Sequence, residues 1–266
     1  MVLGRVLQFL SIGTGTIESD GVSSETEGDV SAGAFAPSMT IVAVEASIAA
    51  GKSTLLDNID GLETDDVVVS VMPEPLEDFE DVLQLFYRDK ARWAFTLQQT
   101  LFLSRLKHLR EHIAKSESSA ARAALLGKRL VVVIERSPFA DRECFAKMLH
   151  ESGAMTDLEF SIYTDRFDFE AIPRVDHVVY LRTTVDVCAG RLRTRARAAE
   201  EGGVSKEYLA ELGKKHDAWL VDGAPDGHVT LVPGQPAVPV SVLDGNTGDP
   251  QHVADAFIHL LQESVV

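Results

Sequence analysis

Four short stretches, in this order along the chain, carry residue types that could move a phosphoryl group: Ile48-Ala49-Ala50-Gly51-Lys52-Ser53-Thr54, Pro73-Glu74-Pro75, Glu135-Arg136-Ser137, and the arginines 191, 193, 195 and 197. The first suits an anion. A glycine at 51 lets backbone N–H groups approach a phosphate closely, Lys52 supplies a point charge, and Ser53 offers a hydroxyl to Mg²⁺. A carboxylate such as Glu74 beside an attacking hydroxyl can accept its proton, while an arginine such as Arg136, with Mg²⁺, stabilises charge on the transferring group. Taken singly, each has a plainer explanation: a turn with a solvated carboxylate, a surface ion pair, a basic helix in water. Arginines at two-residue intervals cannot share one helix face, and in an acidic chain the cluster makes most sense folded over a polyphosphate.

A competing motif is His108-Leu109-Arg110-Glu111-His112, which fits the H-x-x-E-H pattern of inverted zinc metallopeptidases. Two histidines at i, i+4 spacing can share a metal, but nothing singles out a third ligand, and an amphipathic surface helix explains the run equally well.

These residues need a frame. The 266-residue chain is long enough for a full core and reads as one large domain. Its formal charge of −16 leaves no broad basic face for a nucleic acid. Two cysteines, Cys144 and Cys188, without CxxC spacing, read as reduced buried thiols and an intracellular, cytoplasmic home. No apolar run reaches the ~18 residues of a membrane span. Residues 1–38 are acidic and rich in Gly, Ser and Thr, and read as a disordered tail before a catalytic domain at 39–266.

From Thr40 onward, β-branched runs at 40–44, 67–71, 130–134, 177–181 and 238–243 alternate with helical patterns, the signature of βαβ units and a parallel sheet covered on both faces. Helical periodicity over 85–115 puts Trp93, Leu97, Leu101, Ser104 and His108 on one face, 116–120 reads as an exposed connection, and Gly202-Gly203 ends the basic segment. The phosphate loop falls between the first strand and a helix starting near Lys52, as an anion site requires.

With these residues in view, the chain resembles the deoxynucleoside kinase family, specifically its deoxycytidine and purine deoxynucleoside branch. The likeness spans about 40–220 and includes the 48–54 loop, Pro73-Glu74-Pro75, Tyr87, Arg92-Trp93, Gln98, Leu103-Ser104-Arg105, Glu135-Arg136-Ser137, Asp141-Arg142, Glu200-Glu201 and Tyr208-Leu209. The resemblance implies an α/β P-loop kinase fold with a five-stranded parallel sheet in the order 2-3-1-4-5, an arginine-rich lid, and a homodimer packed through helices. It also implies roles. Residues 47–54, from Ser47 to Thr54, would cradle phosphate together with lid residues Arg191, Arg195 and Arg197. Glu74 would be the base for the sugar 5′-hydroxyl, Arg136 would hold that hydroxyl and the phosphoryl group, and Ser53 and Glu135 would hold Mg²⁺. Tyr87 and Glu201 would bind the 3′-hydroxyl. Gln98, backed by Arg105 and Asp141, would read the base between walls formed by Ile48, Phe79, Leu97 and Phe145, with Leu83 and Phe86 in the same pocket. Relatives that accept thymidine carry smaller or apolar residues at the positions of Arg105 and Asp141.

The chain departs from the family pattern at Ala46 and Ser47, where Gly-Asn is usual, in one extra residue before Glu200, and at 244–249, which lacks the aromatic expected near the donor base. The donor is therefore ATP or another nucleoside triphosphate. The alternatives are a nucleoside monophosphate kinase such as thymidylate kinase, against which Pro73-Glu74-Pro75 and Tyr87 argue, and a silent scaffold of this fold, as in a respiratory complex I subunit. Retention of Lys52, Glu74, Glu135 and Arg136 argues against the second.

Overall fold

A computed structural model describes residues 39–169, 171–195 and 204–265. The expectations for residues 1–38, Arg197 and Glu201 lie outside these, and only the backbone of Arg195 is described.

The β-branched runs form β1 (Met39–Glu45), β2 (Val67–Met72), β3 (Arg129–Glu135), β4 (His177–Arg182) and β6 (Val238–Asp244), all parallel, in the spatial order β2-β3-β1-β4-β6. This is the expected 2-3-1-4-5 order with one correction: among the described residues the sheet has six strands, not five. The additional β5 (His228–Val229) pairs antiparallel with Val238 and Pro239 at the edge, and its two residues are too few to leave a period in the sequence.

Successive strand residues face opposite sides, which explains the uninterrupted apolar runs. Ile41, Ala43, Val132, Ile134 and Val178 pack under α2 (Glu80–Arg88), α3 (Lys90–Leu125) and α6 (Asp157–Phe169). Val42, Val44, Val131, Val133 and Val179 pack under α1 (Lys52–Ile59) and α9 (Pro250–Val265). Between them run α4 (Pro138–Ala140), a π-helical turn at Asp141–Ala146 and α5 (Lys147–Glu151), then α7 (Val185–Arg195) and α8 (Lys206–Asp217). Cys144 and Cys188 are unpaired and buried.

The helix expected over 85–115 is two helices. Asp89 interrupts it with φ −148 and ψ 89 and caps α3 by accepting the Arg92 N–H at 3.1 Å. The exposed connection expected at 116–120 is wrong: the segment lies inside α3, with Ser116 and Ala120 buried. Ser116 and Ala120 are short enough to pack closely, and the exposed Glu117, Ser118 and Ser119 between them hid that burial. No helix among the described residues is long and apolar enough to cross a membrane.

Candidate active site

The loop between β1 and α1 is built by two left-handed residues. Gly51 has φ 108, and a Cβ there would lie 3.2 Å from Arg191 Nη1, so glycine serves both conformation and space. Ala49 has φ 58, a costly value for a residue with a side chain. Ala46, where glycine is usual, is fully buried and not among the positive-φ residues, so its methyl group is accommodated without strain. The loop ends at the N-terminus of α1, whose first-turn N–H groups lack helical partners and favour an anion. Lys52 is buried there, and burial, followed by the Arg136 charge, lowers its ammonium to about 8 against the opposing pull of Glu74, Glu135 and Glu45.

The C-terminal ends of β2 and β3 bring the acidic and basic groups to this loop. Ser53 Oγ donates to Glu135 Oε1 at 2.8 Å, and the other Glu135 oxygen accepts the Glu74 N–H at 3.3 Å. The Ser53 and Glu135 oxygens are hard donors of the kind Mg²⁺ takes alongside substrate phosphates. Arg136 has φ 64, a strained conformation held by its N–H bond to Val44 O at 3.1 Å. Its guanidinium lies over the Phe145 ring with Nε 3.6 Å from Glu74 Oε1, and its buried Nη1 has no hydrogen-bond partner. Burial would raise the Glu74 carboxyl, but the charges of Arg105, Arg136 and Lys52 overcome it and hold the group at about 2.

Arg105 is the hub of the site. Buried on α3, it donates through Nη2 to Glu74 Oε1 at 2.5 Å and through Nε to Asp141 Oδ2 at 2.7 Å. Asp141 sits on the π-helical turn, a wide-turn feature found often at functional sites. Its burial pushes its carboxyl upward, with Arg105 opposing. Asp141 Oδ1 and Gln98 Oε1 are both buried without partners, which marks this end of the site as a receptor for a hydrogen-bonding ligand.

One cavity of about 1100 Å³ joins the two ends. Of the expected residues, Ile48 to Thr54, Glu74, Phe79, Leu83, Phe86, Tyr87, Leu97, Gln98, Arg105, Glu135, Arg136, Asp141, Phe145 and Arg191 line it. Ser47 does not: it is buried beneath the loop, with its hydroxyl unpartnered. Arg191 is not a free lid arginine. Its Nη1 donates to Ala50 O at 2.6 Å and its Nη2 to Thr247 O at 2.9 Å, tying the phosphate loop to the 245–248 loop. Sequence reasoning missed Leu76, Leu101, Thr194 and Thr247 among the lining residues. Leu101 was readable, one turn beyond Leu97 on α3, whereas Thr247 reaches the cavity only from the loop that follows β6. The H-x-x-E-H histidines engage separate partners, His108 with Asp78 at 2.9 Å and His112 with Ser70 at 3.1 Å. Among the described residues no group of three or more His, Cys, Asp or Glu side chains is gathered to hold a metal.

An anion cradle, a low-pKa carboxylate between two guanidiniums and a polar receptor 24 residues along the chain from that carboxylate can together hold a phosphate and a hydroxyl-bearing ligand. The sequence has relatives with such chemistry. The model of the deoxynucleoside kinase family matches residues 42–265. A probable deoxycytidine kinase of fowlpox virus is 34% identical over 185 residues, covering 67% of this chain and 71% of the relative. The deoxycytidine kinase of Mus musculus is 34% identical over 238 residues, covering 77% and 83%. The mitochondrial thymidine kinase 2 of Homo sapiens is 31% identical over 194 residues, covering 70% and 66%. With the fold, the cavity and these likenesses in agreement, the chain belongs to the deoxynucleoside kinase family and is a phosphotransferase of that kind.

Proposed function

We propose that this protein transfers the γ-phosphoryl group of ATP, or of another nucleoside triphosphate, to the 5′-hydroxyl of deoxycytidine, deoxyadenosine or deoxyguanosine. The observation that carries this reading is the bridge Glu74–Arg105–Asp141 beside Gln98, in the same cavity as the phosphate loop. Glu74 is the base: ionised at neutral pH, it accepts the 5′-hydroxyl proton as the oxygen attacks. Arg136, with one N–H unpartnered, holds the hydroxyl and the moving phosphoryl group, and Lys52 neutralises the donor phosphates. Ser53 and Glu135 would hold Mg²⁺, which when bound would offset negative charge on the donor phosphates. Tyr87 and Glu201 bind the 3′-hydroxyl.

The base edge sets specificity. Cytosine and adenine present a ring-nitrogen acceptor beside an amino donor, matching the Gln98 amide, and the second amino hydrogen meets Asp141 Oδ1. Guanine uses Arg105 at O6. Thymine turns a carbonyl toward Asp141 and a methyl group toward Arg105, a mismatch of order 1.5–3 kcal/mol. The names of the relatives span both preferences, deoxycytidine and thymidine, and on this reading Arg105 and Asp141 decide between them. Incubating the purified protein with Mg-ATP and each of four deoxynucleosides, then each monophosphate, tests the reading. Phosphorylation of deoxycytidine and the purines with weak thymidine use is expected. Turnover only of monophosphates, or of none, overturns it.

A further inference from the structure

Arg191 fastens together two loops that border the cavity from different strands. Its Nη1 donates to Ala50 O at 2.6 Å and its Nη2 to Thr247 O at 2.9 Å, and among the described residues no other side chain bonds both loops. Thr183 Oγ1 donates to the same Ala50 oxygen at 3.1 Å. The described peptide bonds are all trans, so holding the Ala50 carbonyl turns the Gly51 N–H, on the same peptide, to the opposite side. Glycine at 51, with φ 108, would otherwise let that plane rotate at little cost, and a rotated plane offers a phosphate an oxygen in place of an N–H.

The 245–248 loop depends on the same guanidinium. Its first half lies flush on the end of β4: the Gly245 N–H bonds Arg182 O at 2.8 Å, and a Cβ at Gly245 would fall 2.0 Å from Thr183 Oγ1. Asn246 Oδ1 accepts the N–H and the hydroxyl of Thr184, each at 2.8 Å, while its Nδ2 donates to Asp244. Past Asn246 the hold passes to Arg191 at Thr247 O. In the strand order β2-β3-β1-β4-β6, Glu74 follows β2, Arg136 follows β3, the phosphate loop follows β1 and the 245–248 loop follows β6. Glu74 and Arg136 take the acceptor hydroxyl on the β2 and β3 side. A donor with its phosphates on the central loop therefore extends its base toward β4 and β6, where Gly245, Thr247, Gly248 and Pro250 line the cavity. Two of these have no side chain and the Asn246 amide is spent inside the loop, so the base meets mostly backbone, which can read it only from the positions the loop fixes.

Resting on the kinase reading above, we propose that Arg191 is a positioning residue that sets the enzyme's choice among nucleoside triphosphates: it holds the Gly51 N–H toward the donor phosphates and the 245–248 backbone against the donor base. A simple phosphate contact makes a different demand. Phosphates are the same in every nucleoside triphosphate, so losing such a contact weakens all donors alike, whereas a displaced loop changes their ratio.

The test measures kcat/KM for ATP, GTP, CTP and UTP, with the deoxynucleoside that the wild type uses best, on the full chain as wild type, Arg191→Met, Arg191→Lys and Asn246→Ala. Melting curves confirm folding. The wild type is expected to favour its best donor over its worst by ~10-fold or more, and Arg191→Met to lower that ratio by ~5-fold or more with KM for the deoxynucleoside unchanged. Lysine keeps the charge and lacks the fork, so Arg191→Lys is expected to behave like Arg191→Met. Asn246→Ala loosens the loop with Arg191 and its charge in place and is expected to lower the ratio as well; if neither Arg191 variant folds, its ratio alone decides. Equal loss for all four donors in Arg191→Met, a wild-type ratio restored by Arg191→Lys, or a wild type indifferent to the donor overturns the proposal. Deoxynucleoside phosphorylation by the wild type is scored separately, so its absence sinks the kinase reading and its presence with an unaltered donor ratio sinks only this one.

Discussion

Lys52 and Glu74 line one cavity, and each has a pKa moved far enough to shape the pH response. The Lys52 ammonium lies at about 8 because it is buried near Arg136, so the free enzyme loses that charge as pH rises through about 8. Since kcat/KM reports the free enzyme, its value for ATP should fall on the alkaline side with that midpoint, while kcat, measured with phosphates beside Lys52, should hold to higher pH. Lys52→Arg should remove the limb, and a limb persisting in that variant would assign it elsewhere. Glu74, at about 2, stays ionised across the assay range and adds no acid limb of its own near neutrality. Glu74→Gln should lower kcat by ~10²- to 10⁴-fold with a much smaller change in nucleoside affinity; near-normal turnover would remove it from the chemistry. At the other end, Arg105→Met with Asp141→Ala should raise thymidine use relative to deoxycytidine by ~10-fold or more, since it removes both the mismatched carboxylate and the crowding guanidinium. Competition among the four nucleosides measures this, and a wild-type preference for thymidine would refute the specificity argument.

At the scale of elements, what was legible depended on whether a signal was local. The five parallel strands announce themselves because residues such as Val131 to Ile134 are apolar on both faces, and the loop at 48–54 because glycine, lysine and serine each answer one backbone or phosphate requirement. The break at Asp89 and the burial of Ser116 were not legible, since polar residues that cap or pack tightly look like loop residues until the partner surface is known. Arg191 bonding Ala50 O, and Arg105 bonding Glu74, span 141 and 31 positions, and spacing along the chain carries no record of such pairings. Asp89 allows a direct check. It separates α2, which carries Phe86 and Tyr87, from α3, which carries Leu97 and Gln98, all of them cavity residues. Asp89→Ala should cost ~1 kcal/mol of stability through the lost cap and raise the nucleoside KM while sparing kcat, because the phosphate loop and Glu74 lie on other elements. Urea unfolding and steady-state kinetics measure the two, and a fall in kcat with unchanged KM would contradict it.

For the whole molecule, the family match begins at residue 42 and β1 begins at Met39, so removing residues 1–38 should leave both melting temperature and kcat unchanged. We expect the assembled form to be a homodimer, as the resemblance implies, and the surface supplies a place to test it. Leu158 is 70% and Ile162 46% exposed on α6, and their i, i+4 spacing puts them on one face. Two copies that each carry a formal charge of −16 repel, so association must come from burying apolar area, and a stable interface buries on the order of 1,600 Å². Salt should therefore strengthen the dimer by screening. In a symmetric dimer every substitution acts twice, so Leu158→Glu with Ile162→Glu adds four charges at the contact and should give a folded monomer by sedimentation equilibrium. The same change at Leu125 and Leu126, exposed at the far end of α3, serves as the control and should leave the dimer intact. A wild type that sediments as a monomer at micromolar concentration ends the dimer proposal. Dissociation by the α3 control but not by the α6 pair would keep the dimer and move its interface.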